Sequence, residues 1–380
     1  MISKAKEDCC GCSACVAICP KGAISMKPDT LGFLYPYVDS NLCVNCGLCD
    51  KVCSFHKDYD TSEIFKKPFA YAARHKSLQQ IETSRSGAAF VALSDWILEH
   101  NGVVYGVGHK GHFVVAHKRA TTKKERDEFK GSKYVQSDIQ GIYSQVKSDL
   151  QSGKVVLFSG TPCQTAGLNS FIGEKLRKGL YLVDIVCHGV PGAKVWSDYL
   201  AYLERKEKDT IIGVNYRNKL KFGWNTHRES FLFKKGEVTY NTRFYNPILF
   251  RLSCNKCPFC NTKRPSDITI ADFWGWQKVC PEFNLDNKGL NLVLVNSEKG
   301  KMLFEEIKDE MNTVSLTIEQ ALQPNLISPS IIHPKRLLFE HDYQSMGFEK
   351  TFRKYALIGW RYQILYYYSQ LKHRVRMMIH

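Results

Sequence analysis

The sequence predicts an α+β protein with two parts: a small cysteine-rich N-terminal module and a larger mixed α/β domain. Residues 1–60 contain nine of the 15 cysteines. Residues 61–68 have the composition of a linker that ends in a proline. From 69 to 330, buried-strand patterns alternate with amphipathic helical ones. Residues 331–380 form a basic, aromatic C-terminal tail that we expect to be helical.

The composition excludes several classes of protein. The chain has 380 residues and a formal net charge of +16. Its first residues lack the apolar segment of a secretory signal, and no run of 18 or more apolar residues occurs. We therefore expect a cytoplasmic protein whose cysteines bind metal or carry redox chemistry. The basic residues form no dense run and no nucleic-acid motif is present, so we expect no nucleic-acid partner.

One cysteine pattern, C-x2-C-x2-C-x3-C, occurs twice in the N-terminal module. It is the ligand spacing of bacterial two-cluster ferredoxins, in which the fourth cysteine of each run binds the other cluster. The predicted ligands of one [4Fe–4S] cluster are Cys9, Cys12, Cys15 and Cys53. Those of the second are Cys43, Cys46, Cys49 and Cys19. Structural zinc usually takes two separated pairs, which this spacing does not provide.

Local structure in the module follows from the same repeat. Residues 23–26 and 35–38 are predicted to pair as short strands between the two runs. Each fourth cysteine is predicted to open a short helix. The resulting module is a bacterial-type 2[4Fe–4S] ferredoxin fold.

A third cysteine triplet lies in the larger domain and consists of Cys254, Cys257 and Cys260. Its spacing predicts a third [4Fe–4S] cluster with a remote fourth ligand, and zinc is the alternative. The candidates for the fourth ligand are Cys163, Cys187 and Cys280. We favour Cys187, because the end of a buried strand is a fixed place from which to present a ligand.

Hydrophobic patterns in the larger domain predict strands that alternate with helices. Strands are predicted at 103–107, 155–159 and 181–186, and helices at 88–100, 139–151, 194–206 and 300–311. The letters Gly106-x-Gly108-x-x-Gly111 match the dinucleotide fingerprint. Residues 112–116 alternate like a strand, however, and the fingerprint requires a helix there. We therefore predict a hairpin at this point and no Rossmann-type NAD site.

Three loops have the composition of cofactor-binding loops. The first follows a predicted strand and opens a helix, so its backbone N–H groups can face an anion; it comprises Gly160, Thr161, Pro162, Cys163 and Gln164. An ordinary β–α turn is the alternative. The second, at 84–89, includes Ser84, Ser86, Gly87 and Ala88, and the third, at 131–134, includes Lys133. Such loops suit the pyrophosphate or ring edge of a dinucleotide or flavin.

Seven motifs in order give the chain a family resemblance. They are SRSGAAF (84–90), GSKYVQSD (131–138), SGTPCQTAGL (159–168), VDIVCHGVPG (183–192), YRNKLKFGW (216–224), CNKCPFC (254–260) and DITIADFWG (267–275). With them the chain resembles the beta-subunit family of coenzyme F420 hydrogenase and dehydrogenase, in the bacterial branch that carries an N-terminal two-cluster ferredoxin. Two positions depart from the family pattern, since Ala88 and Ala271 stand where glycine is usual.

The resemblance implies an FAD-dependent iron–sulfur oxidoreductase. The three loops, together with His188, would line the FAD site, and the third triplet would hold a cluster beside the flavin. Electrons would pass between a two-electron carrier, F420 or another hydride donor, and the clusters or a redox partner protein. Bacterial relatives often accompany surface-polysaccharide enzymes. The motifs identify no catalytic acid or base; His188, Lys133 and Arg217 are candidates only by their place in them.

Two further interpretations stay open. The chain could instead be a non-enzymatic electron-transfer subunit or adaptor that has lost flavin, which the altered 84–89 loop favours. The tail could form an amphipathic helix over 352–376, with Leu357, Ile364, Tyr368 and Leu371 on one face. Such a helix could make peripheral contact with an anionic inner membrane surface, and packing on the protein's own core is the alternative.

Overall fold

The computed structural model describes residues 4–56, 58–241, 246–365 and 367–368. The N-terminal module consists of two short helices and one antiparallel strand pair: α1 (Ala14–Ile18), β1 (Ile24–Pro28), β2 (Leu34–Val38) and α2 (Leu48–Lys51). The predicted strand pair is confirmed. The prediction that each fourth cysteine opens a helix is wrong. Ser13 and Gly47 have left-handed φ values of 64° and 73° and start the helices earlier, so each helix ends before the fourth cysteine.

A mixed sheet of eight strands organises the larger domain, with the order β13–β3–β12–β11–β7–β6–β4–β5. The strands of this domain are β3 (Ile64–His75), β4 (Val103–Lys110), β5 (Val114–Ala120), β6 (Val156–Gly160), β7 (Leu180–Ile185), β8 (Ile211–Asn215), β9 (Arg228–Phe233), β10 (Gly236–Asn241), β11 (Ile268–Asp272), β12 (Asn291–Ser297) and β13 (Met311–Leu316). Strands β4, β6, β7 and β11 run parallel, and β8–β10 form a separate antiparallel sheet. The carboxyl ends of the four parallel strands therefore meet at one edge of the main sheet.

Helices cover the sheet and fill the connections between strands. They are α3 (Leu78–Thr83), α4 (Ala89–Glu99), α5 (Lys123–Arg126), α6 (Ile142–Gln151), α7 (Pro162–Ile172), α8 (Glu174–Arg177), α9 (Ala193–Glu207), α10 (Lys219–Phe222), α11 (Trp276–Val279), α12 (Glu298–Glu306), α13 (Ile318–Ala321) and α14 (Arg336–Lys354). The predicted helices and strands agree with these to within a few residues, except that the helix predicted over 300–311 ends at Glu306. The hairpin predicted after Gly106 is confirmed, because β4 and β5 pair antiparallel.

The linker prediction for 61–68 fits only in part. Strand β3 already begins at Ile64 and runs to His75 between β12 and β13. Small side chains of its second half are needed in the core, where Ala70, Ala72 and Ala73 are buried. Pairing with β12, in which Ser297 lies opposite Ile64, extends the strand back through Pro68, whereas β13 pairs with residues 70–75.

The N-terminal module packs directly on the larger domain. One apolar cluster joins cysteines and aliphatic residues of the module to α6, α7 and β6. Phe259 packs against Tyr59 with ring centroids 4.7 Å apart and ring planes tilted by 58°, and it meets the edge of Phe55 at 6.1 Å. Helix α7 comes so close that a Cβ on Gly167 would lie 2.9 Å from Cys12 Sγ. The inner half of the module is therefore part of the domain core.

The C-terminal segment departs from the single helix that we expected. Helix α14 is kinked at Gly347, and its aromatic side chains pack against α9 in a buried cluster. The chain then leaves helical geometry at 355–359, where Ala356 and Gly359 have positive φ values of 51° and 84°.

Helical structure resumes at 360–365 and 367–368. Because of the interruption, Leu357 is buried while Ile364 and Tyr368 are exposed, so the predicted common face is wrong for these residues. Leu371 lies outside the described residues. Over the described part of the chain, no helix has the length and apolar character needed to cross a membrane.

Candidate functional site

The eight cysteines of the module form two groups, each around its own small cavity. The outer cavity is lined by Cys19, Cys43, Cys46 and Cys49. The inner cavity is lined by Cys9, Cys12, Cys15 and Cys53. These are the two quartets that the repeat predicts, and each takes its remote member from the other run. The chemistry of the donors, four thiols around one cavity, fits a [4Fe–4S] cluster in both places.

The two quartets differ in exposure. Cys46 and the neighbouring Val44 are exposed, and Leu42 is half-exposed beside them. Cys12 and Cys15 are buried against the larger domain. The spare thiol Cys10 is also buried and lines both the inner cavity and the central cavity described next.

A central cavity of about 440 Å³ opens at the carboxyl ends of the parallel strands. Its size and position are typical of a cofactor or substrate site in an open α/β sheet. The predicted cofactor residues that line it are Ser84, Ser86, Ala88, Lys133, Gly160, Thr161, Pro162, Cys163, Gln164 and His188. Gly87 is not among them. It packs behind the loop, where a Cβ would lie 2.5 Å from the Ala73 carbonyl oxygen.

The third triplet lines the same cavity, so the predicted flavin loops and the predicted cluster ligands share one space. Cys187 lies there with Cys254, Cys257 and Cys260. Burial raises the pKa of the Cys187 thiol well above its usual value, and the nearby Cys254 adds to the shift.

The two other candidates for the fourth ligand lie in different surroundings. Cys163 also lines the cavity, but its Sγ is 3.2 Å from the Thr161 hydroxyl, and it hydrogen-bonds Cys10. Cys280 is buried in a separate apolar cluster with Trp276. The described residues contain no group of three His, Cys, Asp or Glu side chains arranged to hold a single metal ion.

Unpaired polar atoms in the cavity wall fit a polar ligand. The Ser84 hydroxyl, the Gln323 amide nitrogen and Arg85 Nε are buried and have no hydrogen-bond partner among the described residues. Leaving such groups unpaired costs about 1–3 kcal/mol each. A ligand with several acceptor atoms, as FAD has, would relieve that cost.

Basic side chains also line the cavity, where burial disfavours their charged forms. Burial, and then the neighbouring Arg217, lowers the pKa of Arg85 to about 10, and burial lowers the pKa of Lys133 to about 7. Arg217 is ion-paired with Asp272 at 2.8 Å, while Arg85 Nε is 3.9 Å from the same carboxylate. One carboxylate thus serves two buried guanidinium groups, which leaves positive charge for an anionic ligand.

Two loops are held in place by the protein itself. Gln164 Oε1 accepts the Thr161 backbone N–H at 3.0 Å, and Gln164 Nε2 donates to the Ser137 hydroxyl at 3.0 Å. Gln164 therefore fixes the loop before α7. The 84–89 loop ends at Ala88, which has a left-handed φ of 65° before α4. This conformation favours glycine, which gives a physical reason for the glycine usual in the resembled family.

Sequence reasoning missed several residues of the site. Arg85 and Asp272 lie within the family motifs SRSGAAF and DITIADFWG, and their charge could have identified them as residues of a polar site. Trp274 lines the cavity and stacks on Trp224 with centroids 4.7 Å apart. Gln323 offered no local signal, because it reaches the cavity only through the fold.

Comparisons with known proteins agree with the two parts. Residues 153–319 match the family model for the C terminus of the coenzyme F420 hydrogenase/dehydrogenase beta subunit. Residues 8–56 match a 4Fe-4S dicluster domain, which confirms the predicted N-terminal iron–sulfur domain. The loops at 84–89 and 131–134 lie outside both matched ranges.

Individual relatives are distant. The chain is 20% identical over 320 residues to the F subunit of the F(420)H(2) dehydrogenase from Methanosarcina mazei, with 80% of this chain and 83% of that protein covered. Among solved structures, a chain of the F420-reducing [NiFe] hydrogenase complex from Methanosarcina barkeri aligns with a TM-score of 0.47 and 14% identity. That alignment covers 78% of this chain and 93% of the other.

Proposed function

We propose, from the premise that this chain belongs to the coenzyme F420 hydrogenase/dehydrogenase beta-subunit family and carries a 4Fe-4S dicluster domain, that it is an iron–sulfur flavoprotein oxidoreductase. It passes electrons between a two-electron carrier, F420-like or another hydride donor, and [4Fe–4S] clusters. The observation that carries the proposal is the central cavity, which brings the predicted flavin loops and the third cysteine triplet into one space.

The proposal assigns three clusters. The outer and inner quartets hold the two ferredoxin clusters in a domain of residues 1–60. Cys187 completes the third set with Cys254, Cys257 and Cys260, in an FAD and cluster domain of residues 69–330. Cys10 lines both the inner and the central cavity, which supports a short electron route between them.

Bound FAD would supply the interconversion of a hydride with single electrons. The residues of this chain would bind and orient it: the unpaired Ser84 hydroxyl and Arg85 Nε would donate to acceptor atoms, and Arg85 and Arg217 would offset the charge of its phosphates. Of the candidate proton donors, Arg217 is held by Asp272 and stays charged. Lys133, with a pKa of about 7, is the group that can gain or lose a proton near neutrality.

The rival function is a flavin-free electron-transfer subunit. It is favoured by Ala88, whose methyl group stands at a left-handed position in the flavin loop. Anaerobic purification followed by heat release and chromatography separates the two. The oxidoreductase proposal expects FAD in the supernatant in a ratio of about one per chain. A brown protein with no releasable flavin contradicts it and supports the rival.

We also propose peripheral membrane contact by the C-terminal segment, which would place the protein near membrane-bound enzymes such as those of surface-polysaccharide synthesis. Trp360, Ile364, Tyr367 and Tyr368 are all exposed. Aromatic side chains beside basic residues suit an anionic headgroup region. Full-length protein should sediment with anionic vesicles at low salt, and a chain ending at Tyr355 should not. Equal sedimentation of both removes the idea.

A further inference from the structure

Arg251 connects the larger domain to the inner quartet of the module. It lies three residues before Cys254, and its backbone N–H donates to the Val190 carbonyl oxygen at 3.0 Å. The side chain is 1% exposed and lines the central cavity. The backbone of Arg251 is thus fixed in the larger domain, while its guanidinium group lies at the border with the N-terminal module.

The guanidinium group contacts Cys9, the first cysteine of the inner quartet. Nε donates to the Cys9 carbonyl oxygen at 2.7 Å, and Nη2 lies 3.7 Å from Cys9 Sγ and 2.9 Å from the Leu34 carbonyl oxygen. Nη1 donates to Gln136 Oε1 at 3.0 Å. The group also lies over the Tyr35 ring, 4.1 Å from its centroid. Every one of these acceptors is neutral apart from a thiolate form of Cys9.

Arg251 therefore carries a buried charge with no carboxylate partner within 4 Å among the described residues. The nearby Arg336 provides a contrast, because it is equally buried but ion-paired with Glu340 at 2.9 Å. A buried charge is costly unless something of opposite sign lies close by. Four thiolates around an iron–sulfur core carry net negative charge. A cluster held by the inner quartet would therefore place that negative charge next to Arg251.

The outer quartet lacks such a partner. Lys21 is the one charged residue that lines its cavity among the described residues, and its side chain is exposed to solvent. The inner cavity is lined by the half-buried Lys4, which hydrogen-bonds Cys53, and Arg251 contacts Cys9 of the same quartet from the side of the larger domain. The two quartets therefore have the same ligands and different electrostatic surroundings.

We propose that Arg251 raises the reduction potential of the inner cluster, so that electrons entering at the exposed outer cluster collect at the inner cluster beside the central cavity. The inference rests on the proposed function, in which Cys9, Cys12, Cys15 and Cys53 hold that cluster. One-electron reduction adds a negative charge to the cluster. A fixed positive charge and an N–H···S hydrogen bond at a buried site stabilise the reduced form.

The test is a redox titration of the anaerobic full-length protein, followed by electron paramagnetic resonance. Arg251→Gln should lower the one-electron reduction constant of the inner cluster at least tenfold, about 59 mV, and leave the outer cluster unchanged. Arg251→Lys keeps the charge but loses the planar fork, so it should cause a smaller decrease. Arg336→Gln is the matched control and should cause none. The inner signal is assigned by its loss in Cys15→Ser.

Separate outcomes test the two levels of the claim. If wild-type protein contains fewer than two ferredoxin clusters by iron analysis, the proposed function itself fails. If both clusters are present and Arg251→Gln leaves the inner potential unchanged, or shifts it no more than Arg336→Gln does, the role of Arg251 is overturned. If Arg251→Gln does not assemble the inner cluster, the inner-cluster potential is measured in Arg251→Lys instead. A shift no larger than that of Arg336→Gln then overturns the role of Arg251.

Discussion

The N-terminal module and the central cavity place their functional residues by different means. In the module, eight cysteines fall within 45 residues, and the spacing alone sorts them into the outer and inner quartets. The cavity draws on residues from Cys10 to Ser330, most of which meet because parallel strands bring their carboxyl ends to one edge. Local pattern determines the first site and tertiary topology determines the second.

The difference predicts different sensitivities to mutation. A ligand in the module is fixed by its own short loop, so changes in the distant sheet should leave the outer quartet intact. The position of a cysteine ligand in the cavity depends on strands, loops and helix packing together. The inner quartet lies between these cases, because it has local spacing but packs against α7 and Arg251.

The largest effect is expected from Cys187→Ser. Loss of the fourth thiolate should remove or convert the third cluster, lowering iron from about 12 to about 8 atoms per chain while the ferredoxin pair remains. Cys280→Ser is the control, because Cys280 is buried in another cluster of side chains. Iron and acid-labile sulfide analysis measures both variants. An unchanged iron content in Cys187→Ser would make Cys163 the leading candidate, since it shares the cavity.

Gly167→Ala should disturb the contact between the inner quartet and α7. The added methyl would lie 2.9 Å from Cys12 Sγ and 3.0 Å from the Tyr143 hydroxyl. Overpacking of this kind typically costs about 1–3 kcal/mol. Thermal unfolding should show a lower midpoint than for Ser170→Ala, an exposed control on the same helix. Equal midpoints would mean that the module can move away from the helix freely.

Lys133 should make flavin binding depend on pH. Burial lowers its pKa to about 7, and an anionic ligand would raise that pKa by favouring the charged form. Binding of FAD above pH 7 should then take up a proton, and the affinity should fall as the pH rises from 7 toward the pKa of the complex. Calorimetry of apo-flavin protein in buffers of different ionisation enthalpy measures the uptake. It should vanish in Lys133→Met and persist in Lys124→Met, an exposed control.

The smallest effect concerns the departure at Ala88. Glycine adopts the left-handed φ of 65° without the steric cost that alanine meets there, so Ala88→Gly should stabilise the protein by up to about 1 kcal/mol. Ala89→Gly, one residue later inside α4, should have the opposite sign. Thermal unfolding compares the two. A destabilised Ala88→Gly would show that the methyl group makes contacts that outweigh the backbone strain.

The sequence predicted the regular elements and the module well, because period, spacing and turn residues are local signals. It also identified the cavity loops, although Gly87 supports the 84–89 loop from behind and the Gln164 side chain, besides lining the cavity, is hydrogen-bonded to Thr161 and Ser137. Arg251, Gln323 and strand β3 before Pro68 were missed. Each acquires its role through contacts with residues more than 100 positions away, and one sequence contains no signal for such contacts.

The central claim is that a two-cluster module and a flavin–cluster cavity form one redox unit. Iron and acid-labile sulfide analysis of the anaerobically purified full-length protein tests it most directly. Three [4Fe–4S] clusters predict about 12 atoms of each per chain. About eight of each, with zinc present in their place, would contradict the claim and leave the triplet at 254–260 as a zinc site.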